Sequence, residues 1–344
     1  MEKPVYTIGI DKLELLLNGT ILPIDIQQQS LYFDIDCTVS DNVTLRKNNK
    51  HHNPTFNSCY DVLLHNQLFA QLYYNYNNTY RYAIEAPILL HIENHVLYAE
   101  GLAAKLDILF QSLPGVEFVK YQSLDIAIDG YDLVSKHDYF VKSKQYNRQA
   151  NIKHTSNMVD ERSKQQMSCI VGSRESDKYI SLYKKQQEIV HSGKSYIRDF
   201  WNKNGLPYCN GKSIDRVEGR LSNKEITTFS KRFTDLENPK YLAGFFKLKF
   251  ENYFVFSNKN NRKERRHLIH WHSLRAVKIE KVKTTNKATD DLYSKRITLH
   301  TLFDDFLCTG DDNTFNTFLK LVLQNNLIDW ALKNVLFWKK ECRC

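Results

Sequence analysis

The residues with the most chemical potential fall in three short segments with strand-like alternation. In Tyr179-Ile180-Ser181-Leu182-Tyr183, alternation sends Ile180 and Leu182 to one face and Tyr179, Ser181 and Tyr183 to the other, with Lys185 following on that side. A tyrosine hydroxyl titrates at about 10, so it becomes a nucleophile at neutral pH only beside a cation or a base. Lys185 is spaced to supply the cation, and a bound metal could also do so. With 20 tyrosines in the chain, spacing alone does not separate Tyr183 from a structural tyrosine.

The second segment, Leu124-Asp125-Ile126-Ala127-Ile128-Asp129, opposes an apolar face to one carrying Asp125, Ala127 and Asp129. These carboxylates stand roughly 13 Å apart or less across a small residue. Either that face is hydrated or the aspartates hold something between them. The third, Asp215 to Leu221, puts Arg216, Glu218 and Arg220 opposite Val217 and Leu221, with Gly219 permitting close approach. Glu85, beside Ala83 on its face of another strand-like run, is a further acidic candidate. Carboxylates from separate strands are the hard ligands that Mg2+ or Mn2+ prefers. The competing reading of Arg216 and Glu218 is a cross-strand ion pair.

Positioning these side chains requires a sheet. Leu31 to Ile35, Leu68 to Tyr76 and Tyr80 to Ile92 predict antiparallel strands between Asn-rich turns. Gly101 to Leu113 carries Leu102, Leu106, Ile108 and Leu109 at helical spacing and stops before Pro114-Gly115. A strand follows at Val119 to Asp129, then a segment poor in apolar residues, Lys142 to Gln166, that reads as a surface loop. Met167 to Tyr183 reads as two strands hinged at Gly172, Tyr196 to Trp201 as helix, and Ile214 to Leu221 as strand. Ser222-Asn223-Lys224-Glu225 has the form of a capping box that starts a helix. An amphipathic helix is expected from about Thr314 to Val335, with Phe315, Phe318, Leu319, Val322 and Leu323 as its buried stripe. The expected fold is α+β: a mainly antiparallel sheet with helices on one face and a C-terminal α/β extension. A boundary near residue 221 divides residues 1–221, the catalytic part, from residues 222–344, for DNA recognition or dimerisation.

The chain has 344 residues, 42% of them hydrophobic, enough for a real core. Its net charge of +9 points to a polyanionic partner. Seven scattered cysteines without a CxxC pair read as reduced thiols rather than a disulfide framework or zinc site. The N-terminus lacks a signal layout, and no run approaches the roughly 18 apolar residues of a membrane span. The expectation is a cytoplasmic protein with no membrane partner.

The stretch Val171 to Glu188 resembles the active-site signature of the trans-acting replication-initiation factor family, found in rolling-circle plasmid initiators and related mobile-element relaxases. In that signature a Gly-x-Arg-x-Ser segment, here Gly172 to Ser176, leads into a strand ending Tyr-x-Lys-x-x-Glu, here Tyr183, Lys185 and Glu188. Leu124 to Asp129 is similar to the family's Arg-Leu-Asp-Leu-Ala-x-Asp strand, and Arg216 to Glu218 to its Arg-Val-Glu strand. Ser123 stands where the family often has arginine. The resemblance covers roughly residues 80–221; the last 120 or so match none of its motifs.

The resemblance implies that Tyr183 attacks a phosphodiester at an origin, joins the 5′ phosphate and releases a 3′ hydroxyl for later rejoining. It implies catalytic roles for Tyr183, Lys185, Glu188 and Arg216, and a Mg2+ or Mn2+ ion held by Asp125, Asp129, Glu218 and Glu85. Mobilisation relaxases share this chemistry. A non-catalytic origin-binding protein is the alternative from another class. His270-Trp271-His272 has the spacing of a nuclease metal pair but follows the nucleophile. Arg174 and the basic run Lys259, Arg262, Lys263, Arg265 and Arg266 are the expected contacts to origin DNA. A second copy of the chain and a host helicase are further expected partners. A Lys/Arg-Gly-Phe-x-Phe motif, which would favour an RNA-binding module, is absent.

Overall fold

The structure, a computed structural model, describes residues 5–19, 37–51, 53–76, 88–113, 115–133, 139–142, 155–159, 166–208, 211–251, 255–258, 265–266, 273–279, 302, 306 and 310–324. Its centre is a hydrogen-bonded ladder of four long strands: β1 (Tyr6–Gly19), β7 (Val116–Tyr131), β12 (Ile214–Ser222) and β11 (Lys178–Tyr183), neighbours in that order. Outward from β1 run β6 (Ile88–Ile92), β5 (Gln67–Tyr76), β4 (Phe56–Leu64), β3 (Val43–Lys47) and β2 (Cys37–Ser40). Outward from β11 run β10 (Gln166–Val171) and β9 (Thr155–Val159), completing eleven described strands. Every pairing among them is antiparallel. A separate small sheet joins β8 (Tyr139–Lys142), β13 (Val255–Asn258) and β14 (Arg265–Arg266). The expected α+β class holds.

Alternation makes the central strands two-faced. Leu124, Ile126, Ile128, Ile180, Leu182, Val217 and Leu221 are buried in the main core. On that side lies the helix α6 (Pro239–Phe250), started by Asn238, whose side chain accepts from the backbone N–H groups of Lys240 and Tyr241. Gly219 makes this approach possible, because a Cβ there would run into the Phe246 and Phe250 rings. On the opposite face lies α4 (Ser195–Lys203), whose Phe200 ring would meet a Cβ on Gly9 at 3.2 Å. Helices therefore cover both faces, not one. Alternation shows that a strand has a polar face without showing that a helix sits on it.

Other expectations are refined. The helix read over Gly101 to Leu113 is α2 (Leu102–Ser112), preceded by the one-turn α1 (Asn94–Leu97), and Gly172 lies in the turn between β10 and β11 as expected. The supposed loop Lys142 to Gln166 contains β9, a polar sheet strand whose composition hides it. The capping box does not form: α5 (Asn223–Ile226) begins at the expected place, but Ser222 Oγ donates to Asp177 at 2.9 Å. Glu225 pairs instead with Lys249 at 3.3 Å and Lys178 at 3.7 Å. The runs at Leu31 to Ile35 and Tyr80 to Pro87 lie outside the described residues.

The chain divides into two units, Met1–Asn77 with Glu85–Lys281, and Asn78–Ile84 with Val282–Cys344. In the second, the C-terminal helix α7 spans Asp312–Gln324. It buries Phe318 and Val322, whereas Leu319 and Leu323, expected in the stripe, are 39% and 65% exposed. Among the described residues no helix is long and apolar enough to cross a membrane.

Candidate active site

The polar face of the central strands is organised in rows set by strand register. One row runs Tyr183, Arg216, Asp129, Thr7; the next Ser181, Glu218, Ala127, Gly9; the third Tyr179, Arg220, Asp125, Lys12. The structure thus brings Tyr183, Arg216, Glu218, Asp125 and Asp129 onto one face across three strands.

In the first row Arg216 is fully buried. Its Nε and Nη2 donate to Asp129 at 2.7 and 2.8 Å, and its Nη1 donates to Asp11 at 2.5 Å. Trp201 Nε1 donates to the same Asp129 carboxylate at 2.7 Å, so α4 is tied to the ladder through the arginine's partner. Asp11 is presented by a β-bulge, where the register shifts between Ile10 and Lys12. Tyr98 donates to it at 2.5 Å. Burial would raise the Asp11 carboxyl, but Arg216, Lys185 and the Tyr98 hydrogen bond hold it well below the usual range. Sequence reasoning misses Asp11, Tyr98 and Trp201. The bulge breaks the alternation that would flag Asp11, and the other two reach the site only through tertiary packing.

The Tyr183 hydroxyl donates to Glu218 Oε2 at 2.7 Å and accepts from Lys185 Nζ at 3.4 Å. Lys185 opens the helix α3 (Lys185–Ser192), is buried, and pairs with Glu188 at 2.5 Å. The Tyr183-x-Lys185-x-x-Glu188 spacing thus turns a strand end into a helix start, so that Glu188 holds the lysine that faces the tyrosine. Burial pushes the Tyr183 hydroxyl well above its ordinary range; Arg216 opposes this, while Glu218 and Asp11 add to it. Burial, then the negative charge of Asp11, raises the Glu218 carboxyl and makes it a stronger base. Burial and the nearby Arg216 charge lower Lys185.

In the third row Arg220 contacts Asp125 through Nε at 3.0 Å and Nη2 at 3.0 Å. Its guanidinium lies 5.3 Å from the centroid of the Tyr179 ring. Burial raises the Asp125 carboxyl to about 7 despite Arg220, with Glu218 contributing. Ser123, at the position where the resembled family often has arginine, donates to Glu14 at 2.6 Å, and Lys12 pairs with that carboxylate at 2.9 Å. A carboxylate is thus met there by other donors.

The carboxylates expected to hold a divalent ion do not share a seat. Arginines engage Asp125 and Asp129, and only Glu218 faces Tyr183. Among the described residues no three His, Cys, Asp or Glu side chains are grouped to hold a metal. As placed, the trio Asp125, Asp129 and Glu218 does not fit the ion. Glu85, Lys259, Arg262, Lys263 and the His270 to His272 pair lie outside the described residues. Arg265 and Arg266 form β14, at one edge of the small sheet. Arg174 is exposed in the turn before β11, and its charge reaches Tyr179.

No protein-family model matches the chain, and the search of curated proteins found no match. Among solved structures, the chain is similar to a rolling circle replication initiator protein from Geobacillus stearothermophilus. The identity is 12%, the match covers 80% of this chain and 99% of that one, and the TM-score is 0.40.

Proposed function

We propose that this chain is a tyrosine transesterase that nicks one DNA strand at a replication origin and later rejoins it, as in rolling-circle initiation. The observation that carries the reading is the Tyr183 hydroxyl, hydrogen-bonded to Glu218 and faced by Lys185, above a buried Arg216. The hydroxyl has both a carboxylate raised toward basicity to take its proton and a buried lysine to meet the charge that results. The signature over Val171 to Glu188 supports the same assignment.

The chemistry follows from the contacts. Glu218 takes the hydroxyl proton as the phenolate oxygen attacks phosphorus. The bond formed is Tyr183 Oη–P and the bond broken is P–O3′, so the number of phosphoester bonds is unchanged. The 3′ oxygen leaves as a hydroxyl by taking a proton from water, and Glu218 returns the tyrosine's proton to solvent. Lys185 lies where negative charge gathers on the phosphate, and Arg216, which cannot touch the substrate, fixes Asp129 and Asp11 and supplies positive potential from below. The reverse attack by the 3′ hydroxyl restores the strand.

The test is nicking of supercoiled origin DNA in Mg2+ or Mn2+. Wild type converts it to the open circle and remains attached to the 5′ end, and Tyr183→Phe does neither. Binding of that DNA without any nick would replace this reading with a non-catalytic origin-binding protein.

A further inference from the structure

Two arginine–aspartate pairs stand on the polar face, and they differ in what they leave open. Arg216 is fully buried, with Nε, Nη1 and Nη2 all spent on carboxylates. Arg220 is 38% exposed in its side chain, and its Nη1 carries no hydrogen bond to any described residue. Asp125 and the Tyr179 ring hold the guanidinium from two sides, so little side-chain entropy remains to be lost when it binds. The bland account is that Arg220 only neutralises the buried Asp125. That account leaves unexplained why the cation is partly open to solvent, on a tyrosine that the charge of the exposed Arg174 also reaches.

The register places this cation usefully. Tyr179 and Arg220 stand opposite each other, as Tyr183 and Arg216 do, four residues further along the strands. At the strand rise this separates the rows by about 13 Å. Between them on β11 and β12 lie Ser181 and Glu218, both partly exposed, with no bulky side chain on β11 to block a path along the sheet.

We propose that Arg220, seated on Asp125 and Tyr179, is a second phosphate anchor, which binds a phosphate of the substrate strand flanking the scissile one. With Arg174 it draws the strand over Ser181, so that the scissile phosphate arrives at Tyr183 and Lys185. Arg220 is in this sense a positioning residue, and the inference rests on the strand-transferase reading given above.

The experiment uses the full chain and oligonucleotides spanning the mapped nick, each with one phosphate replaced by an uncharged methylphosphonate. Half-saturating concentration and saturating rate of covalent adduct formation are measured for wild type, Arg220→Gln and Arg220→Lys. In wild type, one flanking replacement should weaken binding on the order of tenfold, the loss of one charge-assisted contact. In Arg220→Gln, unmodified DNA should bind weaker by a similar factor, the same replacement should cost nothing more, and the loss should fall mainly on the half-saturating concentration. Arg220→Lys keeps a charge opposite Asp125 and should show a reduced penalty at that position. The same methylphosphonate profile in Arg220→Gln as in wild type overturns the anchor. If Arg220→Gln does not fold, an undiminished penalty in Arg220→Lys does the same. A wild-type protein that forms no adduct overturns the strand-transferase reading, whereas an adduct with an unchanged profile overturns only the anchor.

Discussion

Glu218 combines three properties that suit a base: it accepts a tyrosine hydroxyl, it is raised by burial, and it lies near a second carboxylate, Asp11. A raised carboxylate is ionised only at higher pH, so nicking should increase with pH through a limb above the normal carboxylate range. Glu218→Gln should lower single-turnover nicking by about 100-fold or more and remove that limb, as read from the pH–rate profile. Asp129 is a different kind of residue. Removing it in Asp129→Ala leaves the buried Arg216 with Asp11 alone, its Nε and Nη2 unmet, and should cost about 3 kcal/mol in urea unfolding. Period-two alternation is enough to put Tyr183, Glu218, Asp125, Asp129 and Arg216 on one face, because each lies on a regular strand. It does not show that the aspartates are held by arginines, since pairing depends on register between strands far apart in the chain. Asp11 escapes because a bulge places it out of phase.

At the scale of elements, the site depends on two helices reaching the ladder closely, at Gly219 from one side and Gly9 from the other. Gly219→Val would force α6 away from β12, and overpacking of this kind costs about 1–3 kcal/mol or more. A lower melting temperature together with slower nicking is expected, because β12 also carries Glu218. Strands with clean alternation, such as β7, β11 and β12, are legible from sequence. β1 does not stand out, although it lies beside β7 in the ladder, because three register shifts along it scramble the pattern. The polar β9 reads as loop because its place in the sheet rests on backbone pairing with β10.

Over the whole molecule, the charge of +9 suits a polyanionic partner, and the two units leave the described site entirely within the first. The class of fold is legible because long two-faced strands and short helices leave few other ways to bury their apolar faces. Helices on both sides of the sheet are not, since a polar strand face looks the same in sequence whether water or a helix covers it. The central claim is that a single hydroxyl, Tyr183, becomes bonded to DNA. Its most direct test is mass spectrometry of the protein digested after reaction with an oligonucleotide spanning the nick. The account predicts a nucleotide-bearing phosphotyrosine on the peptide containing Tyr183, at position 183, retained in Tyr179→Phe and absent from Tyr183→Phe. Modification at Tyr179, or nicked DNA with no modified tyrosine, would contradict it.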